Sequence, residues 1–362
     1  MEKAVIEPFR IEIPQEDLDE LNRRLAGIRW PDELPGSGWD YGVPLSRVRQ
    51  LADYWRDGYD WRRQEAALNE IPQYTTDIDG QRVHFLHVRS ADPHALPLIL
   101  THGWPGAFVE LLDVIEPLSR DFHVVIPSIP GFTLSGPTGQ RGWDVHRVAR
   151  AWAELMSRLG YDRYGAQGGD WGSPISRSLG NLAPDRVVGV HLNYLPTPPP
   201  ANEEGLSDDD RDRVAQLRAY QGAQPAFRVL QSTRPQTLAY ALTDSPVAEL
   251  AWLTEAFNEW AAPDAPITAD RLLTTASLYW LTRTGGSAAR LHRESAVGPL
   301  PCPVPVGVAV FPHDITLAVR SLAERAYSIV HWSEFDRGGH FAAMEAPDLL
   351  ASDVRAFFEK LR

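Results

Sequence analysis

Gly168-Gly169-Asp170-Trp171-Gly172 is the stretch on which the reading of this chain turns. Its spacing, Gly-x-nucleophile-x-Gly, is that of a tight strand-to-helix elbow that drives the central side chain into a pocket. Glycines suit the flanks because such a turn leaves no room for Cβ atoms and can demand positive φ. Asp170 stands at the centre, where Ser is more usual. A Ser attacking a saturated carbon would form an ether that water cannot easily cleave. A carboxylate attacking the same carbon forms an ester, whose carbonyl water can attack. Asp170 as nucleophile therefore points to an electrophilic sp3 carbon, as in an epoxide or an alkyl halide. Taken alone, the five residues also fit an ordinary glycine-rich turn, so the reading rests on what surrounds them.

Upstream, Tyr164 to Gln167 leads into the elbow as a strand, and Trp143 to Leu159 has the pattern of an amphipathic helix. Pro97 to Thr101 and His123 to Pro127 are short apolar runs of the kind that form buried parallel strands. Gln73 to Val88 reads as a hairpin turning at Asp79-Gly80. Before it, helical patterns run from Gln15 to about Leu25 and from Leu45 to about Tyr59, separated by a Pro/Gly-rich loop from Trp30 to Pro44. Downstream, Val187 to Leu192, Val306 to Phe311 and Ile329 to Trp332 are further strands. Strands alternating with helices argue for an α/β fold with a mostly parallel sheet. The segment from Pro196 to Gly298 breaks the alternation with helical stretches at Arg211 to Tyr220, Val247 to Trp260 and Ala269 to Leu281. The expected organisation is an N-terminal meander over 1–75, a core over 76–195, a helical cap over 196–298 and a second core part over 299–362. A cap of this kind excludes water and shapes a pocket.

The chain has 362 residues and a formal net charge of −13, which argues against a nucleic-acid partner. No apolar run approaches the ~18 residues of a membrane span, and Met1 to Glu7 lacks the apolar stretch of a signal peptide. Cys302 is the single cysteine, so an internal disulfide is excluded and a cytoplasmic location is expected. Oligomeric state is not readable, and a homodimer is left open.

Phe311-Pro312-His313-Asp314 follows one predicted strand and Arg337-Gly338-Gly339-His340 follows the last. The order Asp170, Asp314, His340 is nucleophile, acid, base, which is the order of α/β-hydrolase triads. His340 is the expected base, since imidazole titrates near neutrality. Asp314 is expected to hold its tautomer, with neighbouring His313 as the alternative. The positive end of the helix after the elbow is expected to keep Asp170 ionised. His102-Gly103-Trp104-Pro105-Gly106 follows a buried strand, where such folds place one oxyanion-hole N–H. The backbone N–H groups of Trp104 and Trp171 are the candidates. His84 and His87 lie three apart on a strand and face opposite ways, so no metal site is read there. No phosphate-cradling loop is present either, and no cofactor is implied.

Together these motifs resemble α/β-hydrolase-fold epoxide hydrolases, of the branch that includes the microsomal enzyme and its soluble bacterial relatives. His102-Gly103-Trp104-Pro105-Gly106, Gly168-Gly169-Asp170-Trp171-Gly172 and Gly338-Gly339-His340-Phe341 carry the resemblance. Trp30-Pro31, Thr233-Arg234-Pro235 and Asp244-Ser245-Pro246 extend it over nearly the whole chain. It implies an apolar epoxide as substrate, water as co-substrate, and two cap tyrosines that hydrogen-bond the epoxide oxygen. Tyr279 matches one of these. Phe227 falls at the other, a departure that removes a proton donor and leaves Tyr240 or Tyr220 as substitutes. Asp314 stands where many members carry Glu. A haloalkane dehalogenase shares Asp at the elbow and is the first alternative. A ligand-binding homologue without turnover is the second.

Overall fold

The computed structural model describes residues 5–295 and 300–361. The N-terminal part holds a two-residue strand β1 (Glu7–Pro8) and helices α1 (Gln15–Ala26), α2 (Leu45–Asp57) and α3 (Trp61–Leu68). Leu18, Leu21 and Leu25 of α1 recur at helical spacing and are buried, as are Val48, Leu51, Ala52 and Trp55 of α2. The third helix was not anticipated from the sequence. Its signal is Asp60, whose side chain accepts from the Arg63 N–H and so caps the first turn.

The sheet follows. The hairpin forms as β2 (Gln73–Ile78) and β3 (Gln81–Val88), with Asp79 and Gly80 at positive φ in the turn. Next come β4 (Leu96–Thr101), α4 (Leu112–Ser119), β5 (Phe122–Pro127), α5 (Val145–Arg158), β6 (Tyr164–Gly168), α6 (Gly172–Leu182) and β7 (Val187–Leu192). The chain then runs through six helices: α7 (Asp208–Ala223), α8 (Ala226–Thr233), α9 (Pro235–Asp244), α10 (Pro246–Trp260), α11 (Ala269–Leu281) and α12 (Gly285–Glu294). It returns to the sheet with β8 (Val306–Val310), α13 (Arg320–Ala326), β9 (Ile329–Glu334), α14 (Ala342–Glu345) and α15 (Pro347–Glu359). The expected end of the cap at Gly298 lies outside the described residues.

The strand order is β1-β2-β3-β5-β4-β6-β7-β8-β9. The first three pairings are antiparallel and all the others are parallel. Parallel strands need both faces covered, and the apolar runs read from the sequence are buried along β5 and β6. One face carries α5, whose Val148, Trp152, Leu155 and Met156 are fully enclosed. The other carries α15 through Leu350, Val354, Phe357 and Phe358. The Trp152 indole N–H donates to Thr101 Oγ1 at 3.1 Å, pinning α5 to the end of β4. Because β4 and β6 are neighbours with parallel register, the turn after Thr101 and the elbow after Gly168 emerge side by side.

Of the six inserted helices, α9, α10 and α11 lie against the N-terminal part. The Trp55 indole N–H donates to Ser277 Oγ at 3.0 Å, and Arg24 pairs with Asp244 at 2.7 Å. The N-terminal part is itself tied to α3 by Asn69, which accepts from the Ile11 N–H at 2.8 Å and donates to the Ile11 carbonyl at 2.9 Å. Ile11 is buried, so losing Asn69 leaves two backbone groups without partners. The Asn69→Ala variant is expected to be about 1–3 kcal/mol less stable in denaturant unfolding. An unchanged midpoint would count against this tie.

Candidate active site

The elbow is built by close approach. Asp170 has φ 42°, a left-handed conformation that a non-glycine residue adopts only under constraint. A Cβ on Gly172 would lie 2.0 Å from the Thr101 carbonyl oxygen, and one on Gly168 would lie 2.4 Å from the Gly172 backbone. Only bare backbone allows β4, β6 and α6 to meet so tightly. The result is a side chain at the N-terminal end of α6 with nowhere to go but the pocket.

Two backbone donors meet the Asp170 carboxylate. The Trp104 N–H donates to Oδ1 at 2.8 Å, and the Trp171 N–H also bonds the carboxylate. His340, on the loop between β9 and α14, places Nε2 3.4 Å from Asp170 Oδ2. Its Nδ1 bonds Asp314 Oδ1 at 2.7 Å. Asp314 also accepts from the Ile315 N–H at 2.7 Å, so its orientation is set from both sides. The acid and base loops are joined by a bridge between His313 and Gly339. His313 is itself exposed, so Asp314 and not His313 meets the base. The side chains of Asp314 and His340 are 4% and 2% exposed, whereas Asp170 keeps 22%, open toward the pocket.

Electrostatics couple these groups. Burial alone would raise Asp170, but the His340 contact and the two backbone N–H groups outweigh it and hold the carboxyl below its usual range. Burial alone would lower His340. The Asp314 charge, with the contacts to Asp170 and Asp314, instead pushes it up to about 10. Burial raises Asp314, with His340 opposing the rise. His340 Nε2 has no partner at hydrogen-bond geometry among the described residues. A cavity of about 10 Å³, close to the room one water needs, lies between Gly103, Glu110, Asp170, Asn193 and His340.

Glu110 was not singled out from the sequence. It sits on the turn after the His102-Gly103-Trp104-Pro105-Gly106 motif, with its carboxyl against Gly106. Burial, with the charge of Asp170 adding to it, pushes Glu110 up to about 8. A second carboxyl group is thus held toward neutrality beside Asp170.

The lid residues correct the sequence reading. Tyr279 is fully enclosed, and its hydroxyl donates to the Gly106 carbonyl at 2.7 Å. The phenolic proton expected to face the epoxide oxygen is therefore engaged in holding the Trp104-Pro105-Gly106 turn. Tyr240 is 72% exposed on the outer face of α9, which removes it as a substitute. Tyr220 is half-buried and feels the Asp170 charge. Phe227 stacks on Trp104 with ring centroids 5.2 Å apart. The lid's imidazole in this aromatic group is His292 of α12, edge-on to Trp171 at 4.8 Å and to Trp104 at 5.7 Å. Trp260 packs on Phe227 and His340. Nothing local marked His292, because α12 opens on Gly285-Gly286 and was not recognised as a helix.

His84 and His87 are structural. The His84 ring bonds Ser128 and Gln73, and His87 bonds Tyr161. Among the described residues no three His, Cys, Asp or Glu side chains cluster as metal ligands, and no helix is long and apolar enough to cross a membrane.

The parallel sheet with Asp170, Asp314 and His340 on its connecting loops defines an α/β-hydrolase. Family models agree: residues 97–286 match the alpha/beta hydrolase fold and residues 6–111 match the epoxide hydrolase N terminus. The chain belongs to the epoxide hydrolase family and is a hydrolase enzyme. A Stigmatella aurantiaca relative is 44% identical over 99% of this chain and 86% of its own length. Epoxide hydrolase 1 of Sus scrofa is 32% identical over 98% of this chain and 89% of its own. The structure of Aspergillus niger epoxide hydrolase superposes with a TM-score of 0.91 at 33% identity, covering 99% of this chain and 97% of that one.

Asp170→Asn removes one of the two carboxylates that hold His340 protonated. The variant is expected to bring the His340 pKa from about 10 down toward 6.5, read by NMR titration of the ring protons. A raised folded-state pKa stabilises fully below the unfolded value near 6.5, and that stability is lost as pH rises through about 10. The parent is therefore expected to lose stability over that window more steeply than the variant. An unmoved titration would refute the coupling.

Proposed function

We propose that this enzyme converts an apolar epoxide to a vicinal diol through a covalent ester on Asp170. The observation that carries the reading is an ionised carboxylate held at an elbow by two backbone N–H donors, with His340 3.4 Å behind it and Asp314 behind His340. The Trp104, Trp171, Phe227 and Trp260 rings give the pocket an apolar wall suited to such a substrate.

In the first step the Asp170 carboxylate attacks a ring carbon. The C–O bond breaks and its electron pair goes to the ring oxygen. Ester formation cancels the Asp170 charge. One of the two supports of the His340 imidazolium then disappears, its pKa falls, and it releases its proton to solvent, leaving a neutral ring that can accept one. The same event that creates the ester thus creates the base that destroys it. Water in the small cavity beside Asp170 and His340 loses a proton to Nε2 and attacks the ester carbonyl. The Trp104 and Trp171 N–H groups, which bond the Asp170 carboxylate, bind the resulting oxyanion. Collapse releases the diol and restores Asp170 with one oxygen taken from water. The Tyr279 hydroxyl supports this indirectly, by fixing the turn that presents the Trp104 N–H.

The single free cysteine, Cys302, which is buried, supports a cytoplasmic setting.

In a single turnover in heavy-oxygen water the label is expected in the Asp170 carboxylate and not in the diol. Asp170→Asn is expected to form no diol. Label entering the diol directly would mean that water, and not Asp170, opens the ring. Halide release from an alkyl chloride outpacing diol formation would move the activity to dehalogenation.

A further inference from the structure

Ring opening leaves a developing alkoxide that needs a proton, and Tyr220 is the one expected lid phenol still facing the Asp170 charge. Tyr279 has its proton on Gly106, Phe227 has none to give, and Tyr240 faces outward. The lid presents an imidazole within the aromatic group around Asp170. His292 packs edge-on to Trp171, the residue directly after Asp170, and to Trp104, whose N–H binds Asp170. Its third ring neighbour is Phe227, at 6.0 Å.

The ring N–H of His292 has no acceptor among the described residues. The Gln231 side-chain nitrogen lies 3.4 and 3.5 Å from the two ring nitrogens, too far to hold either firmly. It is also a donor, as an amide NH2, and so offers nothing to an imidazole N–H. Among the described residues no acceptor takes that N–H. The Gln231 carbonyl oxygen is turned away toward the Trp252 indole N–H, at 3.5 Å. A half-buried ring N–H without an acceptor, in the field of the nucleophile, is arranged for an oxygen that arrives with the substrate.

Resting on the epoxide reading above, we propose that His292 is the catalytic acid of ring opening, donating its ring N–H proton to the epoxide oxygen as Asp170 attacks the carbon. The bond formed is Asp170 O–C. The bond broken is ring C–O, and its electron pair takes the His292 proton to give the ester's hydroxyl. His292 begins the step as imidazolium and ends it neutral. His340, which releases its own proton to solvent as the ester forms, regains one from the attacking water, and His292 is reprotonated from solvent, so the cycle ends as it began. The charged groups facing His292 are Asp170, which favours the imidazolium, and Arg228, which opposes it. Burial outweighs both and lowers the ring to about 4. The acid is therefore scarce at neutral pH but strong, and ester formation should accelerate as pH falls.

The test uses a His340→Gln background, in which the ester cannot be hydrolysed and accumulates. Intact-protein mass spectrometry follows its formation from styrene oxide and from cyclohexene oxide between pH 8 and pH 5 (working conditions of roughly this range bracket general-acid behaviour). Adding His292→Phe is expected to slow ester formation by about a hundredfold or more and to abolish the acceleration toward acid. Adding His292→Gln, which keeps a donor but cannot release a proton at these pH values, is expected to flatten the profile while preserving the fold. If ester formation stays within about threefold of the parent background in both variants, the proposal falls. It falls too if the rate drops but the parent's pH profile persists, since that marks packing alone, or if the loss follows Tyr220→Phe instead. A His340→Gln background that gains no mass from either oxirane would overturn the epoxide reading itself, a result separate from these.

Discussion

The ionised state of Asp170 is the constraint on which this molecule depends. A buried carboxylate is normally driven to protonate, and here the fold supplies three opposing influences within a few ångströms. Two are backbone N–H groups, from Trp104 and Trp171, and the third is the His340 imidazolium. None of them can be in place unless β4 and β6 run side by side and the elbow has bare backbone on both flanks. Glu110, close by, has only the Gly103 backbone N–H and the His340 charge in its favour; burial and the Asp170 charge outweigh them, and it is raised toward neutrality. Two carboxyl groups a short distance apart thus hold opposite charge states, and the difference comes from donors and not from residue type.

The lid serves the same centre from the other side. Its aromatic rings pack around Trp104, Trp171 and His340 beside Asp170, and a low-dielectric surrounding of this kind strengthens the charge interactions inside. The N-terminal part contributes nothing to the chemistry directly. Through Trp55–Ser277 and Arg24–Asp244 it fixes α11 and α9, and through α11 it places Tyr279 on the turn that carries Trp104. A contact some distance from the pocket therefore sets the direction of an N–H that touches the carboxylate.

Much of this was legible before any coordinates. The alternation of apolar runs and amphipathic stretches marked the parallel sheet, because a strand covered on both faces must be apolar throughout. The elbow was legible because steric crowding admits so few residues at its flanks. Asp314 and His340 were found by order along the chain and by position after strands. The cap was harder. Helices α8, α9 and α12 are short or begin on residues with poor helix propensity, and they are held by packing against one another and against α10.

The chain's residue types and their spacing determined the sheet, the elbow, the carboxylate at its centre and the class of enzyme, since each follows from local sterics or from period along the backbone. Side-chain direction on the lid was decided only by tertiary structure. Whether a phenol points at the pocket or at a carbonyl depends on what the neighbouring turn offers, and Gly106 offers an acceptor to Tyr279. Whether an imidazole lies in the core or over a nucleophile depends on how α12 docks, and that docking brought His292 to the site. Partners far apart in sequence set both outcomes, and no period or motif in the chain encodes their distance.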